Sequence, residues 1–251
     1  MSKPQSYREN ARREAERMSA KGSSNTFRNV LILVIAAIIV LLGATVFFII
    51  KETQKTYLTE FDGTAPAVAN DQGGIPFGGP DAVAGEENEG TTEIGVYADF
   101  LCPACASFDQ LHAQDMRDMI ESGEATIVYY PVNILDNSGD NTGYSTRAAN
   151  AFVEVVENQP DKALEFMEVL FMNQPENGDA PDEQIEVIAT EVGVDDDVIA
   201  QFTDATYADW VATVREQATR DGMTGTPSVS VDRKIQTVEW QNPGALRELV
   251  N

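Results

Sequence analysis

The sequence predicts a mixed α/β fold with an inserted helical subdomain, preceded by one membrane-spanning helix. Three observations carry that reading. A run of 21 residues without a charge extends from Val30 to Ile50. A β-favouring segment, a Cys102-Pro103-Ala104-Cys105 motif and a stretch of helical spacing follow one another from Thr92 to Ser122. Strand signals then return only after Gly225-Thr226-Pro227, with a long block of helical periodicity between.

The apolar run is long enough to cross a bilayer as a helix and longer than the apolar region of a cleaved signal peptide. It is bracketed by Arg28 and Lys51, and residues 1–28 carry seven Lys/Arg against three Asp/Glu. The basic side stays cytoplasmic. The expected order is a cytoplasmic segment over 1–29, an uncleaved anchor over 30–50, a flexible linker over 51–91 and a folded domain over 92–251. The expected location is the cell membrane, single-pass, with the domain outside in a compartment that permits disulfides. The linker reading rests on Gly73-Gly74, Gly78-Gly79-Pro80 and the Gly85 to Gly90 acidic stretch, which offer little to bury. Of 17 basic and 41 acidic residues, 9 and 38 lie after Lys51, a net of −29. That balance argues against nucleic-acid binding, whose footprint is basic.

Within the domain, Thr92 to Phe100 supplies Ile94, Val96, Tyr97 and Phe100 for a strand. Ala106 to Ser122 places Phe108, Leu111, Met116, Met119 and Ile120 near 3.6-residue spacing, and Ser122-Gly123 ends the helix. His112 reads as a surface residue of that helix. Ala125 to Val132 is a second, buried strand, followed by an Asn/Gly/Asp loop over 133–143. Helices are expected over 145–158, from Pro160 to about Asn173, over 182–192, 196–205 and 207–220, so that the insertion covers about 144–221. Ser228 to Val231 and Ile235 to Trp240 form a hairpin around Asp232-Arg233-Lys234, and a short helix closes the chain over 244–250.

Cys102 and Cys105 are the only cysteines, and His112 is the only histidine. A zinc site usually takes four such ligands, and a disulfide scaffold needs more cysteines, so no metal is expected and a redox-active dithiol remains. The motif falls on the first turn of a helix that follows a strand. Pro103 fits there because first-turn N–H groups have no intrahelical partner. The partial positive charge of the helix end favours a thiolate, the attacking species in thiol–disulfide exchange.

Asp99-Phe100-Leu101-Cys102-Pro103-Ala104-Cys105 resembles the D-F-x-C-P-x-C of DsbA-like thioredoxin-fold proteins. Gly225-Thr226-Pro227-Ser228-Val229 resembles the G-T-P-x-V loop of that family, and the likeness covers 92–251, closest to its membrane-anchored extracytoplasmic members. The resemblance implies a thioredoxin fold, Cys102 as an exposed attacking thiol, Cys105 as a buried resolving thiol and Pro227 in cis beside them. Thr226 would then offer a backbone edge to an extended substrate. Asp99 either relays a proton to Cys105 or ends the strand and caps the helix. Two departures stand out: Ala104 replaces a histidine common in the oxidases, which predicts a less oxidising dithiol, and Asp232-Arg233 occupies a turn where glycine is common.

The expected activity is disulfide formation in exported, unfolded polypeptides by a monomer. No cofactor is needed beyond the Cys102–Cys105 disulfide, and a membrane partner of DsbB or VKOR type would reoxidise it. The alternatives are a reductase or isomerase on the same scaffold, a chaperone-like peptide-binding module, and metal delivery through two thiolates. An intact CxxC argues against the binder, and the lack of a Met/His-rich tract argues against metal delivery.

Overall fold

The computed structural model describes residues 5–53, 55–136 and 141–250, in two compact units, one ending at Lys55 and one running from Thr56 to Asn251. In the first, helix α1 (Gln5–Thr53) is 49 residues long. Its stretch Thr26–Phe47 is long and apolar enough to cross a membrane, at about 33 Å for about 30 Å of hydrocarbon.

The second unit is a six-stranded sheet flanked by helices. Its strands are β1 (Ile75–Gly78), β2 (Val83–Ala84), β3 (Thr92–Ala98), β4 (Ala125–Pro131), β5 (Ser228–Val231) and β6 (Lys234–Gln236). The order across the sheet is β2-β1-β4-β3-β5-β6. Among the described residues only β3 and β4 pair in parallel, with Ile94 opposite Ile127 and Val96 opposite Tyr129. Parallel neighbours need a crossover, and helix α2 (Pro103–Glu121) supplies it. From Ile94 to Ala98 β3 is buried throughout, as is all of β4, which is why both read as near-continuous apolar runs.

The helical insertion consists of α3 (Tyr144–Asn158), α4 (Ala163–Met172), α5 (Asp182–Val192), α6 (Asp196–Ile199) and α7 (Ala208–Arg220), with a 3₁₀ turn at Phe202–Asp204. Gly193 closes α5 in the left-handed region at φ 85°, a common helix stop. The expected helix over 196–205 is thus broken into α6 and the 3₁₀ turn. The expected C-terminal helix is a 3₁₀ turn over Arg247–Val250, and β6 ends at Gln236 rather than Trp240. The loop expected over 133–143 lies partly outside the described residues.

The flexible linker expected over 51–91 is corrected by the structure: from Thr56 onward this segment is part of the folded unit. β1 pairs antiparallel with β4 through Ile75, Pro76 and Phe77, and Ile75 and Phe77 are fully buried. The Phe77 ring lies 5.8 Å from Tyr129 and 6.5 Å from Phe152, centre to centre. Most of the glycines that suggested a tether are there for close approach. A Cβ on Gly74 would fall 2.4 Å from Val128 Cγ1, and Gly73, at φ +84°, lies equally close to Val214 Cγ2.

The Asp232-Arg233 turn also has a physical account. Both residues take positive φ, 46° and 66°, at a cost of about 1–2 kcal/mol each. Asp232 Oδ1 accepts the Glu93 N–H at 3.2 Å, and Arg233 bridges Asp71 at 2.8 Å and Glu93 at 3.3 Å. These contacts tie the turn to β3 where a glycine would have relieved the backbone alone.

Candidate active site

The site forms where β3 ends and α2 begins. Cys102 is the N-cap of α2, in extended geometry (φ −79°, ψ 115°), and Pro103 takes the first helical position. The Cys102 carbonyl accepts the N–H groups of Cys105 at 3.0 Å and Ala106 at 3.2 Å, while the Cys102 N–H donates to the Asp99 carbonyl at 3.0 Å. Both cysteines are free thiols. Cys105, one turn in, is 1% exposed, and Cys102 is 8% exposed. The expectation of an exposed Cys102 is therefore corrected: its rim is reachable, but most of it lies under the surrounding loops.

One of those loops carries Thr226-Pro227, whose peptide bond is cis. The Cys102 Sγ lies 3.4 Å from the Thr226 carbonyl oxygen, to which the thiol can donate. As a thiolate, Cys102 faces the Cys105 thiol first of all. The Thr226 hydroxyl and the N–H groups of Cys105 and Ala104 add to this, and together they bring its pKa down to about 5 against the cost of burial. The facing thiolate and burial push Cys105 strongly upward. The pair is thus split into one ready anion and one held proton. Ala104 contributes to this only through its backbone.

Asp99 is fully buried. Its Oδ1 accepts the Leu101 N–H at 2.8 Å and the Ser145 hydroxyl at 2.6 Å, and its Oδ2 accepts the Leu135 N–H at 2.8 Å. Burial outweighs those bonds and lifts its pKa to about 6. None of its three donors is a cysteine, so the carboxylate pins the loop before Cys102 to the start of α3. Phe100 anchors the same loop, 4.9 Å from the Phe171 ring and 5.6 Å from Phe152.

The expected site residues Asp99, Phe100, Cys102, Pro103, Ala104, Cys105, Thr226 and Pro227 therefore converge on one place. Gln174 was not foreseen. Its Nε2 donates to the carbonyls of Phe100 at 2.9 Å and Cys102 at 3.0 Å, clasping the helical insertion to the redox loop. No spacing or composition around Asn173-Gln174-Pro175 marks it. The surface placement of His112 is also corrected. It is fully buried, its ring Nε2 lies 2.6 Å from the Trp240 carbonyl, and it packs 4.9 Å from Phe108. The signal existed, since His112 sits four residues from both Phe108 and Met116 on the buried stripe of α2.

A CxxC on the first turn of a helix, beside a Thr-Pro loop and beneath a helical insertion, defines a thiol-disulfide oxidoreductase of DsbA/DsbG type. A thioredoxin family model matches residues 79–251, and the chain belongs to that family. Among solved structures, DsbA of Mycobacterium tuberculosis in its oxidised form is 27% identical. Its TM-score is 0.58, over 71% of this chain and 93% of that one. The DsbG of the same organism, described as a disulfide bond oxidoreductase, is 29% identical with a TM-score of 0.55, over 64% and 79%. MdbA of Actinomyces oris shares the fold at 24% identity and a TM-score of 0.61, over 75% and 92%. The serine/threonine-protein kinase PknE of M. tuberculosis is 27% identical over 172 residues, 63% of this chain and 30% of the kinase. The chain thus spans less than a third of the length of the curated relatives it matches.

Proposed function

We propose that this protein is a membrane-tethered extracytoplasmic oxidase that introduces disulfides into exported polypeptides through Cys102 and Cys105. The observation that carries the reading is the placement of the two thiols, Cys102 at the end of α2 beside the Thr226 loop and Cys105 buried one turn in, which lowers Cys102 to about 5 and raises Cys105. A stabilised Cys102 thiolate makes the reduced form favourable, which makes the disulfide a better oxidant. In the forward reaction a substrate thiolate attacks Cys102 Sγ. The Cys102–Cys105 bond breaks, and Cys105 leaves with the electron pair and takes up a proton. A second substrate thiolate then attacks the substrate sulfur of the mixed disulfide. The substrate disulfide forms and the Cys102 thiolate departs. The redox-active pair is its own electron carrier, so no cofactor is invoked, and a DsbB- or VKOR-type membrane partner restores the disulfide. The Thr226 backbone would align the substrate as an added strand, the enzyme acts as a monomer, and the basic end of α1 keeps the N-terminus cytoplasmic.

The test is oxidation of a reduced, unfolded disulfide protein by the oxidised full-length chain in detergent. Stoichiometric transfer of one disulfide per chain supports the reading. Failure to oxidise it, with efficient reduction of a disulfide substrate, supports the reductase instead. The likeness to DsbG at 29% identity and the Ala104 substitution keep reductase or isomerase chemistry as the second reading.

A further inference from the structure

A groove of about 670 Å³ runs between α2 and α4, beginning immediately past the CxxC at Ala106 and Ser107 and walled by Phe171 and Met172. Its floor holds Asp109, which is 4% exposed and whose Oδ1 has no hydrogen-bond partner among the described residues. The neighbouring cation does not serve it. Arg117 Nη2 is engaged by both oxygens of Glu168, at 2.8 and 2.9 Å. Two carboxylates thus face one guanidinium. Burial first, then the charge of Glu168, lift Asp109 to about 7, with Arg117 only partly opposing them. A buried carboxylate oxygen without a donor is costly, and the residue that carries it lines a cavity with an apolar wall. Glu168 and the apolar pair come from α4 and Arg117 from α2.

We propose that this groove is a specificity subsite for substrate polypeptide, taking an arginine or lysine side chain whose head pairs with Asp109 and whose stem lies on Phe171 and Met172. This rests on the thiol-exchange reading above, since the substrate cysteine must sit at Cys102. Asp109 lies seven positions along α2 from Cys102, roughly 10 Å at 1.5 Å per residue. An extended chain covers that in about three residues. The basic residue therefore belongs about three positions from the reacting cysteine. Amphipathic basic side chains suit such a site because the stem covers apolar surface while the head stays polar.

The experiment uses the oxidised full-length chain in detergent and pairs of synthetic dithiol peptides of identical composition. In one of each pair Arg is three residues from the cysteine and Gln about nine away; in the other the two are exchanged. Both directions along the peptide are tried. The expected result is a kcat/KM about tenfold higher for the near-Arg isomer in one direction. That ratio should fall toward one in Asp109→Asn, and also in Ser107→Arg, which brings a guanidinium to the groove from the enzyme itself. A wild-type ratio near one with both isomers oxidised overturns the subsite while leaving the oxidase reading intact, because the diffuse acidic surface does not distinguish isomers of equal charge. A wild-type ratio retained in both variants also overturns it. Failure to oxidise any peptide overturns the oxidase reading and the subsite with it.

Discussion

Replacing Thr226 by valine removes one hydroxyl beside Cys102 and keeps the β-branched shape. That hydroxyl is among the groups that lower the Cys102 pKa to about 5. A hydrogen bond to a charged group contributes about 1.5–3 kcal/mol, or about one to two pKa units at 1.36 kcal/mol each. The variant is therefore expected to titrate at roughly 6–7. At pH 7 the thiolate stabilises the reduced form by about two decades in the parent and by about 0.3 to one decade in the variant. Each decade is about 30 mV for a two-electron couple, so the potential should fall by about 30–50 mV. The parent itself can be placed by comparison. Thioredoxin has a thiol pKa of about 7 and a potential of about −270 mV, and DsbA about 3.5 and −120 mV. A value of about 5 puts this dithiol between the two, at roughly −165 to −220 mV. The assays are the pH dependence of alkylation rate for the pKa and equilibration with glutathione buffers for the potential. A variant that titrates within about 0.3 units of the parent would refute the role given to the hydroxyl. A parent pKa of 8 or above, with a potential at or below about −270 mV, would remove the basis of the oxidase proposal.

Further outcomes are expected from the same geometry. Gln174→Ala leaves the Phe100 and Cys102 carbonyls without their side-chain donor; a loss of about 1–2 kcal/mol in denaturant unfolding is expected, with slower exchange at Cys102. Asp99 and Asp109 are both raised in the folded state, to about 6 and about 7. The folded chain therefore holds protons that the unfolded chain has released, and this part of its stability is present below about pH 4 and lost as pH rises through 6–7. Asp109→Asn should consequently be more stable than the parent near pH 8, by up to about 4 kcal/mol, with the difference vanishing near pH 4; an equal difference at both pH values would contradict the buried-carboxylate account. Cys105→Ser should trap a mixed disulfide between Cys102 and substrate, visible by non-reducing gel and mass, whereas Cys102→Ser should trap none. A fragment beginning at residue 92 should aggregate, because it exposes the β4 edge and removes Ile75 and Phe77, each contributing about 1.5–3 kcal/mol of burial; a fragment beginning at Thr56 should remain soluble.

The redox centre was legible because its chemistry is local. Two cysteines three positions apart, a strand before them and a proline between them suffice to place a dithiol on a helix end. The Thr226-Pro227 loop was legible through family likeness, since nothing in a lone Thr-Pro indicates what it faces. The stretch over 56–91 was misread because composition cannot distinguish glycines that free a chain from glycines that let a backbone approach Val128 or Val214. Pairing of β1 with β4 is a contact between segments about fifty residues apart, invisible to any local window. Asp109 and His112 lie on or beside the apolar stripe of α2, and a polar residue there reads as surface until its neighbours are placed. Gln174 had no signal, because its role depends on where two distant carbonyls come to rest.

Cys102 and Thr226 are 124 positions apart, and β5, which follows the Thr226 loop, is linked to the inner strands of the sheet through β3. A chain that emerges N-terminal end first presents both cysteines while most of the helical insertion, the Gln174 clasp and the Thr226 loop are still to come. Contacts of such sequence separation form late. Until they form, Cys102 keeps the Cys105 thiol and its own helix end as acidifying partners but lacks the Thr226 hydroxyl. The last increment of acidity at Cys102 therefore arrives only as β5 pairs with β3 and brings the Thr226 loop beside it.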